Sequence, residues 1–477
     1  MRFAVGSSAS VIGSAVVAVV VGCSGVGSPS ATAPASSPPV VPAQAAGTAF
    51  PDFDGDARAD LVHGVGSTRG EVVVAYGSGT TTSFSRTDAG GIDPSPDNTM
   101  GFGQGLLARD LNADRFTDLV VVDQAQGGAG SAIYLVFGSA SGLQTSAARR
   151  YGVPGGLFGF RGTPALVEEP GRLLAVGASA PASVAQGGAF VAYPLGSDGL
   201  PDADPVILSQ QNLPGADEPG DAFGSALAAD RDLLLVGAPG EDVGRAADAG
   251  AVTVLRSRGG VGFTGSVLTQ DSPGVAGRAE AGDRFGTVVA VADGYAAVGV
   301  PAEDDAVPDA GAVATFTVAQ GRLTPLATLT QETKGVPGVS EPGDRFGSAV
   351  AVIRGCPKAA SLLVGAPGEA VGATFDAGAA WVLPLSTACP TRLRVAEGRG
   401  PGGAATEMAS IGSAVSVLRE ADTAADTIVL TAPGVSEEGV YGRVLTLPPP
   451  YAGDPAVVAA DLHLNEEGTI ALSPPAG

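Results

Sequence analysis

The sequence predicts an all-β fold, a seven-bladed β-propeller of four-stranded antiparallel blades spanning 49–477. Three observations predict it. Phe-Gly pairs at Phe223, Phe285 and Phe346 open near-identical stretches separated by 62 and 61 residues. Each stretch holds four short runs rich in Val and Leu, bounded by Gly, Pro or Asp, and none has a helical apolar period of useful length. Gly and Pro together exceed a fifth of the 477 residues, which favours turns, while 44% hydrophobic residues exclude disorder throughout.

The repeat has a constant internal order. Glu218-Pro-Gly-Asp-Ala-Phe-Gly224 precedes LLLVGAPGED (233–242) and Asp248-Ala-Gly-Ala-Val252. Glu280-Ala-Gly-Asp-Arg-Phe-Gly286 precedes AAVGVPAEDD (296–305) and Asp309-Ala-Gly-Ala-Val313. Glu341-Pro-Gly-Asp-Arg-Phe-Gly347 precedes LLVGAPGEA (362–370) and Asp376-Ala-Gly-Ala-Ala380. Weaker units open near Phe50, Phe102, Phe158 and Ile411, which makes seven. Four short strands per repeat form a blade, and stacking blades in a ring covers faces that no single blade can bury. Phe-Gly and Gly-Ala-Pro are expected to be structural: Gly admits close approach and Phe fills the space between neighbours.

These units resemble the FG-GAP repeat of integrin α-subunit heads and of many exported bacterial proteins. The resemblance covers about 49–475. It implies a seven-bladed ring and often bound calcium, and by itself no activity.

The N-terminus reads as a processing segment. Arg2 precedes an apolar run, 11–21, too short to span a bilayer. The run ends in Val20-Val21-Gly22-Cys23, which resembles the lipobox of bacterial lipoproteins. That implies a signal peptide at 1–22 and lipid on Cys23, with ordinary secretion as the alternative. Residues 23–48, rich in Ser, Ala and Pro, read as a tether. The remaining cysteines, Cys356 and Cys389, form an even pair in an exported chain and are expected to bond. Cys356 is placed in a first-to-second-strand turn, and Cys389 after the third strand of the same blade.

Two acidic loops carry the chemistry. Asp52-Phe-Asp54-Gly-Asp56-Ala-Arg58-Ala-Asp60 and Asp110-Leu-Asn112-Ala-Asp114-Arg-Phe116-Thr-Asp118 each precede an apolar strand. Side-chain oxygens at positions 1, 3, 5 and 9, with the carbonyl of Arg58 or Phe116 at position 7, can wrap one hard cation. Calcium accepts flexible oxygen geometry where magnesium does not. Position 12 is His63 or Val121 instead of the bidentate Glu of an EF-hand, and a strand follows instead of a helix. The pattern resembles the nine-position calcium hairpin of FG-GAP units. Later blades carry short turns there: Asp230-Arg-Asp232, Asp293-Gly294 and Arg354-Gly355.

The opposite face collects further acid: Glu241, Asp242 and Asp248; Glu303, Asp304, Asp305 and Asp309; Glu369 and Asp376; and the link pairs Glu218/Asp221, Glu280/Asp283 and Glu341/Asp344. Asp before Gly caps tight turns, so turn chemistry is the first expectation for them. The net charge of −23 disfavours nucleic acid and anionic membrane, leaving the lipid as the membrane contact, and favours cations. No metalloprotease, phosphate-loop or nucleophile-elbow motif is present. With only His63 and His463, both expected at surface or strand positions, a Ser-His-Asp triad is nearly excluded. The leading expectation is therefore a monomeric, non-catalytic, calcium-binding propeller at the cell surface that binds a protein or glycan. The alternatives are a propeller hydrolase using carboxylates on one face and a structural envelope component.

Overall fold

The computed structural model describes residues 51–91, 101–356 and 359–386, apart from 66–69, 125–129 and 180–186. It also describes Val16–Val17, residues 411–413 and the strands from 393 to 472. Cys23, the tether, Phe50 and Cys389 lie outside the described residues, as does the side chain of Cys356.

The chain is all-β, with one short 3-10 turn at Thr145–Ala147 among the described residues. Six sheets are meanders of four consecutive antiparallel strands. Their first strands are Phe102–Arg109, Gly159–Val167, Ala226–Asp230, Val288–Ala292, Ala349–Cys356 and Ala414–Leu418. Ahead of them, Leu61–Val65, Glu71–Ala75 and Thr81–Ser85 form a three-stranded meander, to which Val16–Val17 adds a fourth strand by pairing with Val62–His63. A two-stranded ribbon, Leu462–Leu464 with Ile470–Leu472, follows. No described helix is long and apolar enough to cross a membrane.

Successive sheets pack face to face with their first strands adjacent, which is the arrangement of propeller blades. The core is accordingly divided into layers between sheets. Along Leu233–Ala238, Leu234 and Val236 pack back onto Phe190 and Phe223, while Leu235 packs forward with Phe285 and Val298. This is the period-two alternation of a strand buried on both faces, which explains its unbroken apolar composition.

The repeat motifs occupy the seams between these layers. A Cβ on Gly237, Gly299 or Gly365 would lie 2.2, 2.2 or 2.0 Å from the carbonyl oxygen of Gly286, Gly347 or Gly412 in the next sheet. Only glycine permits that approach. Phe285 N–H and Phe346 N–H each donate to the Ala of the preceding Asp-Ala-Gly motif, Ala249 and Ala310, at 2.8 Å. Ile411 does the same to Ala377 at 3.2 Å. Each Phe-Gly thus joins its own blade to the one before it, while its ring is fully buried between them.

Two expected details differ. The unit does open beside Phe158, since its first strand starts at Gly159, but Phe158 is 55% exposed and Phe160 is the ring fully buried in the seam. Here the close-approach glycine is Gly162, whose carbonyl meets a Cβ built on Gly105, so the motif has shifted along the strand. Secondly, Arg354-Gly355 is not a turn. The strand continues through a bulge to Cys356, which pairs with Ala359. Asp293-Gly294 does turn as expected, with φ of 52° and 80°, the left-handed pair of a two-residue hairpin.

Candidate metal centre

The two acidic loops adopt one geometry. In the first, the Asp52 carboxylate accepts the N–H groups of Asp56 and Ala57, both at 3.1 Å. Asp54 accepts from Asp56 at 3.2 Å, and Asp56 from Arg58 at 2.8 Å. In the second, Asp110 accepts from Ala113 and Arg115, Asn112 from Asp114, and Asp114 from Phe116. Left-handed backbone at Gly55, Ala57, Ala113 and Arg115 coils each loop around its own carboxylates.

Position 9 closes each loop. Asp60 takes the Phe53 N–H at 2.6 Å and the Gly77 N–H at 2.8 Å. Asp118 takes the Leu111 N–H at 2.7 Å and the Gly138 N–H at 2.9 Å. Both carboxyls are fully buried, and burial pushes each up to about 7. Burial likewise raises Asp52 to about 6, with the Asp56 and Asp54 charges adding to the rise. Such groups resist ionisation unless a cation compensates them.

One oxygen each from Asp52, Asp54 and Asp60 lies within 4.8 Å of the others, so the first loop fits a cation through three converging carboxylates. The second loop has Asn112 where the first has Asp54 and keeps carboxylates at positions 1, 5 and 9. Arg58 and Phe116 supply main chain at position 7, and the Arg58 side chain stays exposed, 4.0 Å from Asp56. The loops also touch. Asp52 N–H donates to Thr117 Oγ1 at 2.9 Å, and Thr117 N–H returns a bond to the Asp52 carbonyl at 2.8 Å. Hydrogen bonding alone therefore couples the two centres.

The opposite acidic face divides by role. Asp242 and Asp304 accept the N–H groups of Asp248 and Asp309, and Asp248, Asp309 and Asp376 all sit at φ near 51–52°. That is the expected turn chemistry. Glu241, Glu369, Asp221, Asp283 and Asp344 are instead buried. Each buried Asp meets the Glu of the adjacent turn, together with a glutamine that sequence reasoning passed over. Gln210 Nε2 donates to Glu241, Gln270 to Glu303, and Gln331 to Glu369. The signal was present as Leu-Ser-Gln (208–210) and Leu-Thr-Gln (268–270 and 329–331), at the end of three fourth strands.

His63 is a buried strand residue whose pKa falls to about 4 through desolvation. A cleft of about 720 Å3 opens beside Arg150, Tyr151, Tyr193, Asp202 and Asp204. Asp202 and Asp204 at its rim are exposed.

No family model matches the chain, and no curated protein matches it. Among solved structures, the chain is similar to AofleA from Arthrobotrys oligospora, with 9% identity, 75% of this chain and 86% of that one covered, and a TM-score of 0.40. It is also similar to the β-propeller domain of the Trilobed protease from Pyrococcus furiosus, with 7% identity, 81% and 88% covered, and a TM-score of 0.42.

Proposed function

We propose that this chain is a non-catalytic, calcium-stabilised, integrin-like propeller of the FG-GAP type. Its seven blades close into a ring, exported and tethered at the cell surface through Cys23, that presents a face to a protein or glycan ligand. The observation that supports calcium is the convergence of Asp52, Asp54 and Asp60 around one point, with Asp60 fully buried. The cation would be held by oxygens of Asp52, Asp54, Asp56 and Asp60 with the Arg58 carbonyl, and by Asp110, Asn112, Asp114 and Asp118 with the Phe116 carbonyl. Its role there is structural: it neutralises carboxylates that burial would otherwise keep protonated. In a mature chain starting at Cys23, the first sheet retains its three strands between 61 and 85.

The binding role rests on rigid seams carrying loops at both ends of each blade, the usual placement of recognition surfaces. The tests are direct. Asp114→Ala is expected to lose one calcium per chain by elemental analysis, and chelation to lower the melting temperature of the unmodified chain. Unchanged metal content and melting after both would remove calcium from the reading. The intact chain, used as bait against surface proteins and a glycan array with calcium or with chelator, tests the ligand role. Absence of any saturable binder under either condition would remove it.

A further inference from the structure

Three corners repeat on the face opposite the acidic loops. Each is built from a Gln at the end of one blade, an Asp in the link that follows, and a Glu in the second-to-third-strand turn of the next blade. They are Gln210, Asp221 and Glu241; Gln270, Asp283 and Glu303; Gln331, Asp344 and Glu369. The Asp is held in place because its Oδ2 accepts the N–H of Glu218, Glu280 or Glu341, at 2.7–2.8 Å. The link is pinned to the turn by Gly240 N–H to the Asp221 carbonyl at 2.9 Å, and by Gly368 N–H to the Asp344 carbonyl at 3.1 Å.

These corners have more buried acceptors than donors. The three glutamines are only 5, 4 and 2% exposed. Each amide lies against the Glu carboxylate through its Nε2, yet Oε1 of Gln210, Gln270 and Gln331 has no hydrogen-bond partner. A buried acceptor left unmatched costs about 1–3 kcal/mol. The same deficit three times over is a property of the repeat. The Asp and Glu also face one another: burial and then the Glu241 charge raise Asp221, and burial and then the Asp283 charge raise Glu303.

A cation remedies this where an added hydrogen-bond acceptor could not. Two carboxylates carry the formal charge that one divalent ion neutralises, and the amide oxygen adds a neutral hard ligand of the kind calcium takes. We propose that each Gln–Glu–Asp corner is a further cation site for a divalent ion of the calcium class, clamping the inter-blade link to the turn beside it. This stands apart from the loop centres, whose residues are on the other face.

Native mass spectrometry of the unmodified full chain, titrated with calcium, separates the cases. Loops and corners together give five ions per chain, corners alone three and loops alone two. A count of two or none overturns the corner proposal, and a count of three would instead remove the loops. Mutation locates the ions. In an Asp54→Ala, Asp114→Ala chain the corners are expected to keep their calcium, and adding Glu241→Gln, Glu303→Gln and Glu369→Gln is expected to remove it. Glu→Gln also mimics a carboxyl that shares a proton with its Asp, so a chain that keeps its calcium count after these changes overturns the proposal. The single tryptophan gives a local readout. Trp381 is buried, and its Nε1 donates to Pro337 at 2.7 Å beside Gln331. Calcium is expected to shift its emission in the loop variant and not in that variant carrying Glu369→Gln. No shift in the loop variant counts against the site.

Discussion

The first two sheets and the later near-copies solve the same problem with acid at opposite ends of the blade. At Asp52–Asp60 and Asp110–Asp118, carboxylates are coiled into a nine-residue turn between strands, and the two turns lean on each other through Thr117. In the sheets opening at Phe223, Phe285 and Phe346, that turn shrinks, as at Asp293-Gly294, and buried carboxylates move to the link side. Close glycine seams with a buried ring occur in both regions, at Gly64 on Gly103 and Gly105 on Gly162 as at Gly237 on Gly286, while the blades opening at Phe285 and Phe346 add a Phe N–H to an Ala carbonyl. The seams are thus alike, and the difference lies in the turn itself: a two-residue hairpin needs no filling, whereas a nine-residue loop with few apolar side chains must be stabilised from within.

This contrast can be broken at the seam first. Phe285→Ala empties a fully buried ring site and is expected to cost about 4 kcal/mol, against under about 0.5 kcal/mol for the exposed Phe158→Ala. Urea denaturation of both variants checks it, and equal losses would mean that Phe158 is the packing residue after all. Gly299→Ala drives a methyl to 2.2 Å from a main-chain oxygen that cannot swing aside, an expected cost of about 2–3 kcal/mol. Gly171→Ala, with nothing within 4 Å, is the matched control and is expected to stay within about 0.5 kcal/mol.

The carboxylates sharpen the contrast through pH. Burial raises Asp60, Asp118, Asp221 and Glu303 to about 7 and Asp283 to about 6. Unfolded carboxyls titrate near about 4. Between those values the metal-free native chain binds more protons than the unfolded one, so its stability falls as pH rises from about 4 to 7. Calcium bound at these sites would hold the same groups as anions, and the slope is then expected to flatten or reverse. Melting curves at pH 5 and pH 7, with and without calcium, measure this, and parallel slopes would mean that no cation sits on these groups. The smallest expected effect is at Arg58→Ala. Position 7 offers its main-chain carbonyl and an exposed side chain, so calcium affinity by titration calorimetry should not change.

Much of this was legible in the chain. The four runs per repeat gave the strands because a strand buried on both faces needs continuous Val and Leu, as in Leu233–Ala238. The loops were legible because their oxygens are local, set by spacing within nine residues. Phe158 misled as a packing residue because it sits just ahead of the strand Gly159–Val167 that carries Phe160, and only the shifted close approach at Gly162 shows which ring enters the seam.

By itself, then, the sequence determined the repeat, its strand order, the glycine and phenylalanine positions of the regular units, and two loops with the oxygen pattern of a calcium hairpin. Each of these is written within one unit. Only the tertiary structure decided which acids on the other face cap turns and which are buried. Gln210 and Glu241 are 31 residues apart and meet because a link from one blade passes beneath a turn of the next. Burial, and the mismatch of acceptors over donors that it creates, is a property of two blades brought together, and no spacing along the chain records it.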